Sequence, residues 1–476
     1  MANAIKNLKD RLVATLTGNR LVVRAAWADK MRKLAKESRA RGDDPTKNSE
    51  IVKLTPTQLE FVRQDVASPN TSVNTIGGAL ILDESVDVDL LRQAVDRVRM
   101  NNDGLRIRFV KEDGVLKQYA TAYQPLNTPL LTFENEEDLR AYCDSIMAEP
   151  YGDLEGKDIN NEIHVFQLSD HRGGLIFREN HLREDAVSVA LVGAYVLDIY
   201  EQIRRGRTSY QGARTSFIDH ARASEGSLGS VGVGTTDLID SASTRSTFTL
   251  SEQRTRRIKD VCRQIGRDAG LNIRPSKLFE LANALYISMM NNNVQKVTLN
   301  NLATGREPKT SDDLTIGLYM RSRPVEVFLD WKATVEANLI DMKKRAKGLL
   351  EEPSYSSESD PSDTVWISFR SNPDGADALL RTPFHLYEAP RKHSPVPLFM
   401  HIEDMNETGR YNVIHDYWDS AYKAEQIERR QADILKIVDS MVANPEMMLD
   451  DLAATLELAT ASPSTTPVNL SAPLEN

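Results

Sequence analysis

The chain has 476 residues, of which 40% are hydrophobic and 27% charged, the composition of a globular protein with room for one large domain or two of ordinary size. Its formal net charge of −10 argues against general nucleic-acid binding, which needs a basic face. There is no stretch of 18 apolar residues, and charges interrupt the N-terminus too often for a signal peptide. We therefore expect no membrane association and a cytoplasmic location.

Residue types that hold metals or nucleotides are sparse. The two cysteines, Cys143 and Cys262, form no CxxC pair and are too few for a disulfide framework, which also favours a reducing compartment. The eight histidines are scattered, with no HExxH and no Cys/His cluster, so we expect no metal site. No GxGxxG or GxxxxGK[ST] pattern supports nucleotide binding.

The first 50 residues are basic in a chain that is acidic overall. Residues 1–50 carry twelve Lys and Arg against six Asp and Glu, and the stretch 19–40 has a weak helical stripe. This pattern predicts a basic, partly helical arm. A solvated surface helix and a segment that docks on a partner are both open interpretations of it.

Residues 51–204 alternate strand and helix patterns and predict an N-terminal half-domain. "VNTIGGALIL" is typical of a strand, and Asp87 is placed to cap the helix that follows. "LRIRFV" alternates apolar and charged residues, and the turn "EDG" leads back into "VLKQYA" as a hairpin. The apolar stripe of the helix consists of Val88, Leu91, Val95 and Val98.

A second predicted hairpin, "NEIHVFQLS" and "GLIFREN", leads directly into His181 and Asp185. The helix after Asp185 is apolar almost all round, which predicts that it is buried and that the loop before it lies deep in the body. Beyond this helix, residues 205–247 are rich in Gly, Ser and Thr and predict a flexible linker.

Residues 248–458 predict a C-terminal half-domain of the same α/β kind, with two helices followed by strands and further helices. The tail 459–476, "ATASPSTTPVNLSAPLEN", is typical of a disordered segment. Two α/β halves joined by a link often place an active site between them.

The loop at His181 is the best candidate for chemistry. A histidine can take or hold a proton near neutral pH, and a fixed aspartate four residues later can orient it or hold the loop through an ion pair. On spacing alone a structural role, in which His181 caps the helix or satisfies buried backbone groups, is the stronger interpretation.

The order of several segments resembles the condensation domains of nonribosomal peptide synthetases, which share the chloramphenicol-acetyltransferase-like fold. "NHLREDA" at residues 180–186 is similar to the HHxxxDG motif of that family, and the resemblance extends over about residues 53–452. The other matching segments are "LTPTQLEFVRQD", "DVDLLRQAVDRVRMNNDGLRIRF", "RPSKLFELANALYISM", "NLATGR", "TIGLYMRSRPVEV" and the stretch from "RYNVIHDYW" to "NPEMML".

The resemblance implies an α/β fold of two chloramphenicol-acetyltransferase-like half-domains in a V-shaped pseudo-dimer with a central tunnel. It further implies that carrier proteins present substrates on phosphopantetheine arms, that the chain binds no cofactor of its own, and that an acceptor amine attacks the donor thioester inside the tunnel. Because no adenylation or carrier segment follows, we expect a divergent, free-standing member.

The resemblance also assigns roles to residues of the motif. His181 matches the second histidine of the family motif and would act as general base or position the attacking nucleophile. Asp185 matches the motif aspartate, with a structural role in an ion pair to an arginine. Arg106, Arg108 and Arg306 are the candidates for that arginine.

Several positions depart from the family pattern. Asn180 replaces the first motif histidine, and Asn can still donate and accept hydrogen bonds. Ala186 replaces the motif glycine, so a methyl group could narrow the tunnel. Arg321 replaces a strand asparagine and would put a large cation near the tunnel or on its rim. The Gly/Ser-rich stretch 224–247 replaces a segment that usually carries a Tyr-Trp pair.

These observations favour an enzyme, an acyltransferase that joins a carrier-bound acyl or aminoacyl thioester to an amine in natural-product biosynthesis. The first alternative is an inactive condensation-like domain that binds a carrier protein and recruits a tailoring enzyme. Asn180, Ala186 and the basic arm support it, since carrier proteins are usually acidic. The second alternative is an ester-forming O-acyltransferase of the same fold.

Overall fold

The computed structural model describes residues 44–125, 128–151, 162–206, 215–224, 240–306, 314–348, 365–371, 383–404 and 409–458. The chain divides into two compact units, and neither is continuous in sequence. The first unit contains Met1–Asp240, Thr304–Arg321 and Asn372–Pro395. The second unit contains Ser241–Ala303, Ser322–Ser371 and Val396–Asn476.

The described part of the first unit is built from strands and helices that follow each other as the sequence predicts. Its strands are β1 (Val52–Lys53), β2 (Thr75–Ser85), β3 (Ile107–Glu112), β4 (Val115–Ala120), β5 (Leu130–Phe133), β6 (Glu162–Leu168), β7 (Arg172–Asn180) and, from the third segment, β12 (Phe384–Glu388). Its helices are α1 (Pro56–Ala67), α2 (Val88–Asn101), α3 (Glu136–Ala148), α4 (Ala186–Arg204) and α5 (Phe217–Ser224), and a 3-10 turn spans Asp103–Arg106.

Two sheets organise this unit, one of five strands in the order β12-β2-β7-β6-β5 and one of three in the order β1-β4-β3. Both predicted hairpins are present, β3 with β4 and β6 with β7. Asp87 caps α2 as predicted, since its carboxylate accepts the backbone N–H groups of Asp89 and Leu90 at 3.1 Å. Helices α2 and α4 share an apolar core with β2 and β7.

Helix α4 is the most apolar of the helices described in the first unit. By length and hydropathy alone it is able to cross a membrane, but 61% of its 18-residue window is buried inside the protein. Its buried side chains, among them Leu191, Val196 and Ile199, pack into the same core as β2 and β7. Helix α4 is therefore a buried core helix, as the sequence predicts.

The described part of the second unit forms one six-stranded sheet in the order β10-β9-β11-β13-β14-β8. Its strands are β8 (Ser243–Thr249), β9 (Lys296–Ala303), β10 (Arg321–Phe328), β11 (Val365–Ser371), β13 (Leu398–Asp404) and β14 (Asn412–Trp418). Its helices are α6 (Glu252–Asp268), α7 (Pro275–Met290), α8 (Val335–Arg345), α9 (Ala424–Ala443) and α10 (Leu449–Thr455), and most of their apolar faces join one core.

The structure corrects the predicted linker at 205–247. Within it, α5 is a helix of the first unit, where Phe217 is fully buried, and β8 pairs with β14 in the second unit. The apolar residues Phe217, Ile218 and Ala221 give α5 one buried face, a local signal that the Gly/Ser-rich stretch after it obscured. Residues 207–214 and 225–239 lie outside the described residues.

The predicted C-terminal half-domain at 248–458 also needs correction, because two of its segments belong to the first unit. β12 pairs antiparallel with β2, with Glu388 opposite Gly78, and so extends the five-stranded sheet. The segment 304–321 joins the first unit through contacts with the side chains of Asp185 and Ser188 at the start of α4, described below. Strand pairing between residues about 300 positions apart leaves no local pattern in the sequence.

The basic arm and the C-terminal tail lie mostly outside the described residues, which begin at 44 and end at 458. The last part of the arm, residues 44–50, runs beside the end of β4. Ser49 donates its backbone N–H to Ala120 at 2.9 Å, and Asn48 accepts the N–H of Ala122 on its amide oxygen at 2.8 Å.

Candidate active site

The motif turn (residues 180–186) joins the end of β7 to the start of α4. Asn180, the last residue of β7, lies opposite Thr75 of β2. Its side-chain oxygen accepts the N–H of Leu182 at 2.7 Å, and its carbonyl accepts the N–H of Arg183 at 2.9 Å. Asn180 therefore closes the turn by a side-chain hydrogen bond to the backbone, a role that asparagine suits.

The imidazole of His181 is held at both nitrogens. Nδ1 lies 3.0 Å from the carbonyl oxygen of Glu184, and Nε2 lies 3.1 Å from a guanidinium nitrogen of Arg391. A carbonyl oxygen only accepts and a guanidinium only donates, so Nδ1 carries the hydrogen and Nε2 offers its lone pair. This arrangement fixes a neutral Nδ1–H tautomer whose basic nitrogen is Nε2.

Packing and a backbone bond fix the orientation of this ring. Phe61 of α1 stacks on it with 4.9 Å between ring centroids and 30° between the planes. The backbone N–H of His181 donates to the carbonyl of Asn74 at 2.7 Å. Only 4% of the residue is exposed, so His181 is better buried than its place on a loop suggests.

Arg391 is a residue of this site that the sequence analysis missed. It follows β12, whose pairing with β2 brings it to the end of β7, 210 residues along the chain from His181. The same segment is held two residues later, where the side chain of Ser72 lies 2.9 Å from Nδ1 of His393. No motif in the sequence marks Arg391, because only the strand pairing places it here.

Asp185 is the most heavily engaged side chain of the motif turn. Its Oδ1 accepts the backbone N–H of Ser188 at 2.8 Å, which caps α4, and lies 3.0 Å from Nη2 of Arg306. Its Oδ2 accepts the backbone N–H of Tyr319 at 3.0 Å. The carboxylate thus joins the helix start, a buried arginine and the segment 304–321 in one arrangement.

Arg306 donates to several groups of the same network. It donates to the carbonyl of Thr315 and, at 2.7 Å, to the hydroxyl of Ser188, and its guanidinium lies 4.3 Å from the ring centre of Tyr319. Among the three arginines that the sequence proposed as partners of Asp185, Arg306 is the one that the structure places there. The segment 304–321 is thereby fixed to the start of α4.

The other predicted residues have different surroundings. Arg106 donates to the carbonyls of Arg99, Met100, Asn102 and Thr121 and so binds backbone. Arg108 donates to the carbonyl of Ile107 at 2.8 Å. Ala186 and Arg321 are both exposed. Neither Arg106 nor Arg108 is therefore the partner of Asp185, which corrects the prediction that either arginine could form this ion pair.

Helix α1 adds Gln58 and Asp65 to the site. Gln58, fully buried, donates to the carbonyl of Leu182 at 3.0 Å and pairs with the amide of Gln118. Asn74 donates to Oδ1 of Asp65 at 2.7 Å with its side chain, while its carbonyl holds His181. These contacts tie the N-terminal segment of the first unit to the motif turn.

Asp65 has an unusual titration in this setting. Burial raises the pKa of its carboxyl from 3.8 to about 7, and the hydrogen bond from Asn74 opposes the rise only in part. Its Oδ2 is buried and accepts no hydrogen bond from the described residues. At mildly acidic pH, folding therefore favours the protonated form of Asp65.

Among the described residues, no group of three or more His, Cys, Asp or Glu side chains is placed to hold a metal ion. The two thiols, Cys143 and Cys262, are buried and unpaired with each other, and burial raises the pKa of each to about 12. Neither thiol has the exposed, electropositive setting that activates a cysteine.

Substitution of Asp185 by Asn should lower the free energy of unfolding by about 3–5 kcal/mol, because it leaves the buried Arg306 charge uncompensated. Chemical denaturation monitored by circular dichroism measures this. The control Glu252→Gln breaks an exposed ion pair with Arg256 and should cost less than about 1 kcal/mol. A loss for Asp185→Asn no greater than for the control would contradict the structural role of the pair.

Substitution of Asp65 by Asn should flatten the pH dependence of stability. A carboxyl whose pKa is higher in the folded protein binds more protons when folded, so the free energy of unfolding falls as pH rises from about 4 to about 7. The variant should therefore be more stable than the wild type above pH 7, by about 1–3 kcal/mol, and similar near pH 4. Denaturant titrations across this range test the difference.

Asp113→Asn, at an exposed hairpin turn, is the control for Asp65→Asn. The explanation fails if the two variants change the slope of stability against pH to the same extent.

Comparison with known proteins finds one family over much of the first unit. Residues 48–233 match the family model of the condensation domain. Among curated proteins, surfactin synthase subunit 1 of Bacillus subtilis (strain 168) is 24% identical over 172 residues, 35% of this chain. A plipastatin synthase subunit of the same strain is 17% identical over 447 residues, 84% of this chain. The chain spans only 5% and 17% of the length of these two relatives.

Solved condensation domains have the same fold. The first condensation domain of the CDA synthetase matches with a TM-score of 0.63 at 15% identity, over 85% of this chain and 98% of that one. The condensation domain of the monacolin K polyketide synthase matches with a TM-score of 0.68 at 12% identity, over 85% and 100%. The fold is therefore the α/β, chloramphenicol-acetyltransferase-like fold, and the chain's resemblance to the condensation domains of nonribosomal peptide synthesis is confirmed.

Proposed function

We propose that this chain is a condensation-type acyltransferase that joins a thioester on a carrier protein to an amine acceptor, forming an amide. Acyl or peptidyl carrier proteins are its partners, and their phosphopantetheine arms present the substrates, with no cofactor bound by the chain itself. The reaction takes place in the cytoplasm, as part of nonribosomal peptide or related natural-product synthesis. The condensation-domain match over residues 48–233 supports the acyl-transfer class of this reaction.

The observation that carries the proposal is the state of His181. The hydrogen on Nδ1 is committed to the carbonyl of Glu184, so the proton-accepting lone pair belongs to Nε2, which accepts from Arg391 in this structure. A half-turn of the ring would lose this bond, and Phe61 packs against the face of the ring. A fixed, unprotonated imidazole nitrogen is what a general base or a nucleophile-positioning group requires.

The chemistry follows from this nitrogen. The amine nitrogen attacks the carbonyl carbon of the thioester, a C–N bond forms, and the C–S bond breaks. Nε2 of His181 holds the proton that the amine loses, and the departing sulfur of the phosphopantetheine arm takes a proton to leave as a thiol. Each turnover therefore yields one amide and one free thiol, with no oxidant or reductant required.

Asp185 has a positioning role in this proposal. Its two oxygens are occupied by Ser188, Arg306 and Tyr319, which leaves the carboxylate bound on both sides by donors. It holds the start of α4, and through the motif turn it holds His181. A change at Asp185 should thus act on folding and on the geometry of the turn together.

A specific observation favours the alternative of a carrier-binding domain without condensation activity. The guanidinium of Arg391 lies on Nε2 of His181 at 3.1 Å, where an incoming amine would have to bind. An arginine that stays there blocks the base, whereas one that moves aside leaves it available. Ester formation is the further alternative, and the acceptor used in the experiment separates it from amide formation.

A reconstitution tests the proposal. Carrier proteins loaded with candidate acyl groups are mixed with the chain and with amines or alcohols, and the product is followed by mass spectrometry. His181→Asn is the sharp variant, because the amide nitrogen of asparagine can still donate to the carbonyl of Glu184 while Nε2 is removed. We expect product with the wild type and a loss of about 100-fold or more with His181→Asn.

The matched control is His171→Asn, at an exposed turn with a positive φ of 67° that asparagine tolerates, which should retain the wild-type rate. Arg391→Met, run in parallel, removes the competing donor and should raise the rate several-fold. An unchanged rate in His181→Asn would contradict the catalytic role. Carrier binding without product in both the wild type and Arg391→Met would support the recruitment alternative.

A further inference from the structure

A cavity of about 310 Å³ lies in the first unit, away from the bonds that hold His181. Its walls come from the end of α2, the segment around β3, the chain after β4 and the last described part of the arm. The lining residues are Asn48, Arg99, Arg106, Arg108, Thr121, Ala122, Tyr123 and Gln124. Three of these eight residues are arginines, and no carboxylate is among them. We call this space the arginine cavity.

Arg106 builds the wall of the arginine cavity. Its guanidinium binds three carbonyls at the C-terminal end of α2, the end of a helix that favours a positive charge, and the carbonyl of Thr121 beyond β4. Arg106 is thus satisfied by backbone and gives the cavity a fixed shape. Arg99 and Arg108 are the other two arginines that line the cavity.

Arg99 and Arg108 bring charge into a confined space. Arg99 is 7% exposed, and its guanidinium forms no hydrogen bond with any residue in the described part of the chain. Burial lowers the pKa of Arg99, and burial together with Arg183 and Arg99 lowers the pKa of Arg108 to about 10. The cations repel each other there, and a bound anion would relieve this repulsion.

The acids nearby compensate this charge only in part. Asp96 accepts a hydrogen bond from the hydroxyl of Tyr123. Glu179 and Glu184 do not line the cavity but interact electrostatically with Arg99, and Glu179 lies 3.9 Å from Arg183. Burial and the neighbouring Glu184 raise the pKa of Glu179 well above its ordinary range, which favours its neutral form. The positive charge at the cavity therefore exceeds the negative charge around it.

We propose that the arginine cavity is a binding site for a phosphate group, held by Arg99 and Arg108. Guanidinium groups match the oxygens of phosphate in bidentate geometry, and two of them suit a doubly charged oxyanion better than a single carboxylate. Asn48, exposed at the mouth, uses its amide oxygen to accept from Ala122, which leaves its NH₂ group for a phosphate oxygen. The volume holds roughly ten water molecules, enough for a phosphate group and several waters.

Phosphate of this kind can arrive from two sources, free inorganic phosphate or the phosphate of a pantetheine arm. Both share the chemistry that the cavity recognises, and the proposal does not depend on the proposed acyl transfer. Occupation would also change the charge beside the motif turn, since Arg183 and Glu184 interact electrostatically with Arg99. The arginine cavity is therefore separate from His181 but interacts electrostatically with Arg183 and Glu184 of the motif turn.

Calorimetric titration of the full chain with inorganic phosphate, at constant ionic strength in chloride, tests the proposal. Parallel titrations use 4′-phosphopantetheine and pantetheine, which lacks the phosphate. We expect saturable phosphate binding, no binding of pantetheine at the same concentrations, and a rise of about tenfold in Kd for Arg99→Met and for Arg108→Met. Tighter binding of phosphopantetheine than of phosphate assigns the arm as the source, and equal binding assigns free phosphate.

Arg256→Met, at an exposed arginine of the second unit, is the control and should keep the wild-type Kd. If Arg99→Met does not fold, the half-buried Arg108 supplies the test, and phosphate should raise the melting temperature of the wild type but not that of Arg108→Met. The absence of saturable phosphate binding by the folded wild type overturns the proposal. So does a Kd in Arg108→Met equal to that of the control.

Discussion

The buried carboxylate of Asp185 is the constraint on which the motif turn depends. A charge with 2% exposure is costly unless it is paired and fully hydrogen-bonded, and both oxygens of Asp185 meet that condition. The donors that satisfy it come from the first turn of α4 and from the segment 304–321. Satisfying one carboxylate therefore brings together two parts of the chain that are far apart in sequence.

The position of His181 follows from that constraint. With β7 fixed at Asn180 and α4 fixed at Asp185, the residues between them have little freedom, and the carbonyl of Glu184 is left facing Nδ1. The tautomer of the imidazole is then set by the backbone of the turn. The helix cap and the ion pair of Asp185 thus fix the position of the proton-accepting Nε2 of His181.

Much of this region could be predicted from the sequence, because its signals are local. Alternating strands, the turn after β3, and an aspartate before an apolar helix all act over a few residues, and the resemblance added Arg306 as one of three candidate partners of Asp185. Arg391 and β12 could not be predicted, since strand pairing between such distant segments has no local pattern. Helix α5 was missed because its short apolar face precedes a Gly/Ser-rich stretch.

The departures from the family motif look different once their contacts are known. Asn180 holds the turn through its side-chain oxygen, a structural role that does not need a histidine. Ala186 is exposed at the first position of α4, where a methyl group costs nothing to the helix. Both residues are therefore compatible with the hydrogen bonds that close this turn. The guanidinium that contacts Nε2 of His181 belongs to Arg391, which lies outside the motif.

The most direct test of the central claim is the protonation of His181 in the folded protein. Long-range proton–nitrogen correlation spectra of nitrogen-15-labelled histidines distinguish the two tautomers, and comparison with His181→Asn assigns the signal. The account predicts a neutral ring near pH 7 with the hydrogen on Nδ1 and none on Nε2. A ring with its hydrogen on Nε2, or one protonated at both nitrogens, would contradict it.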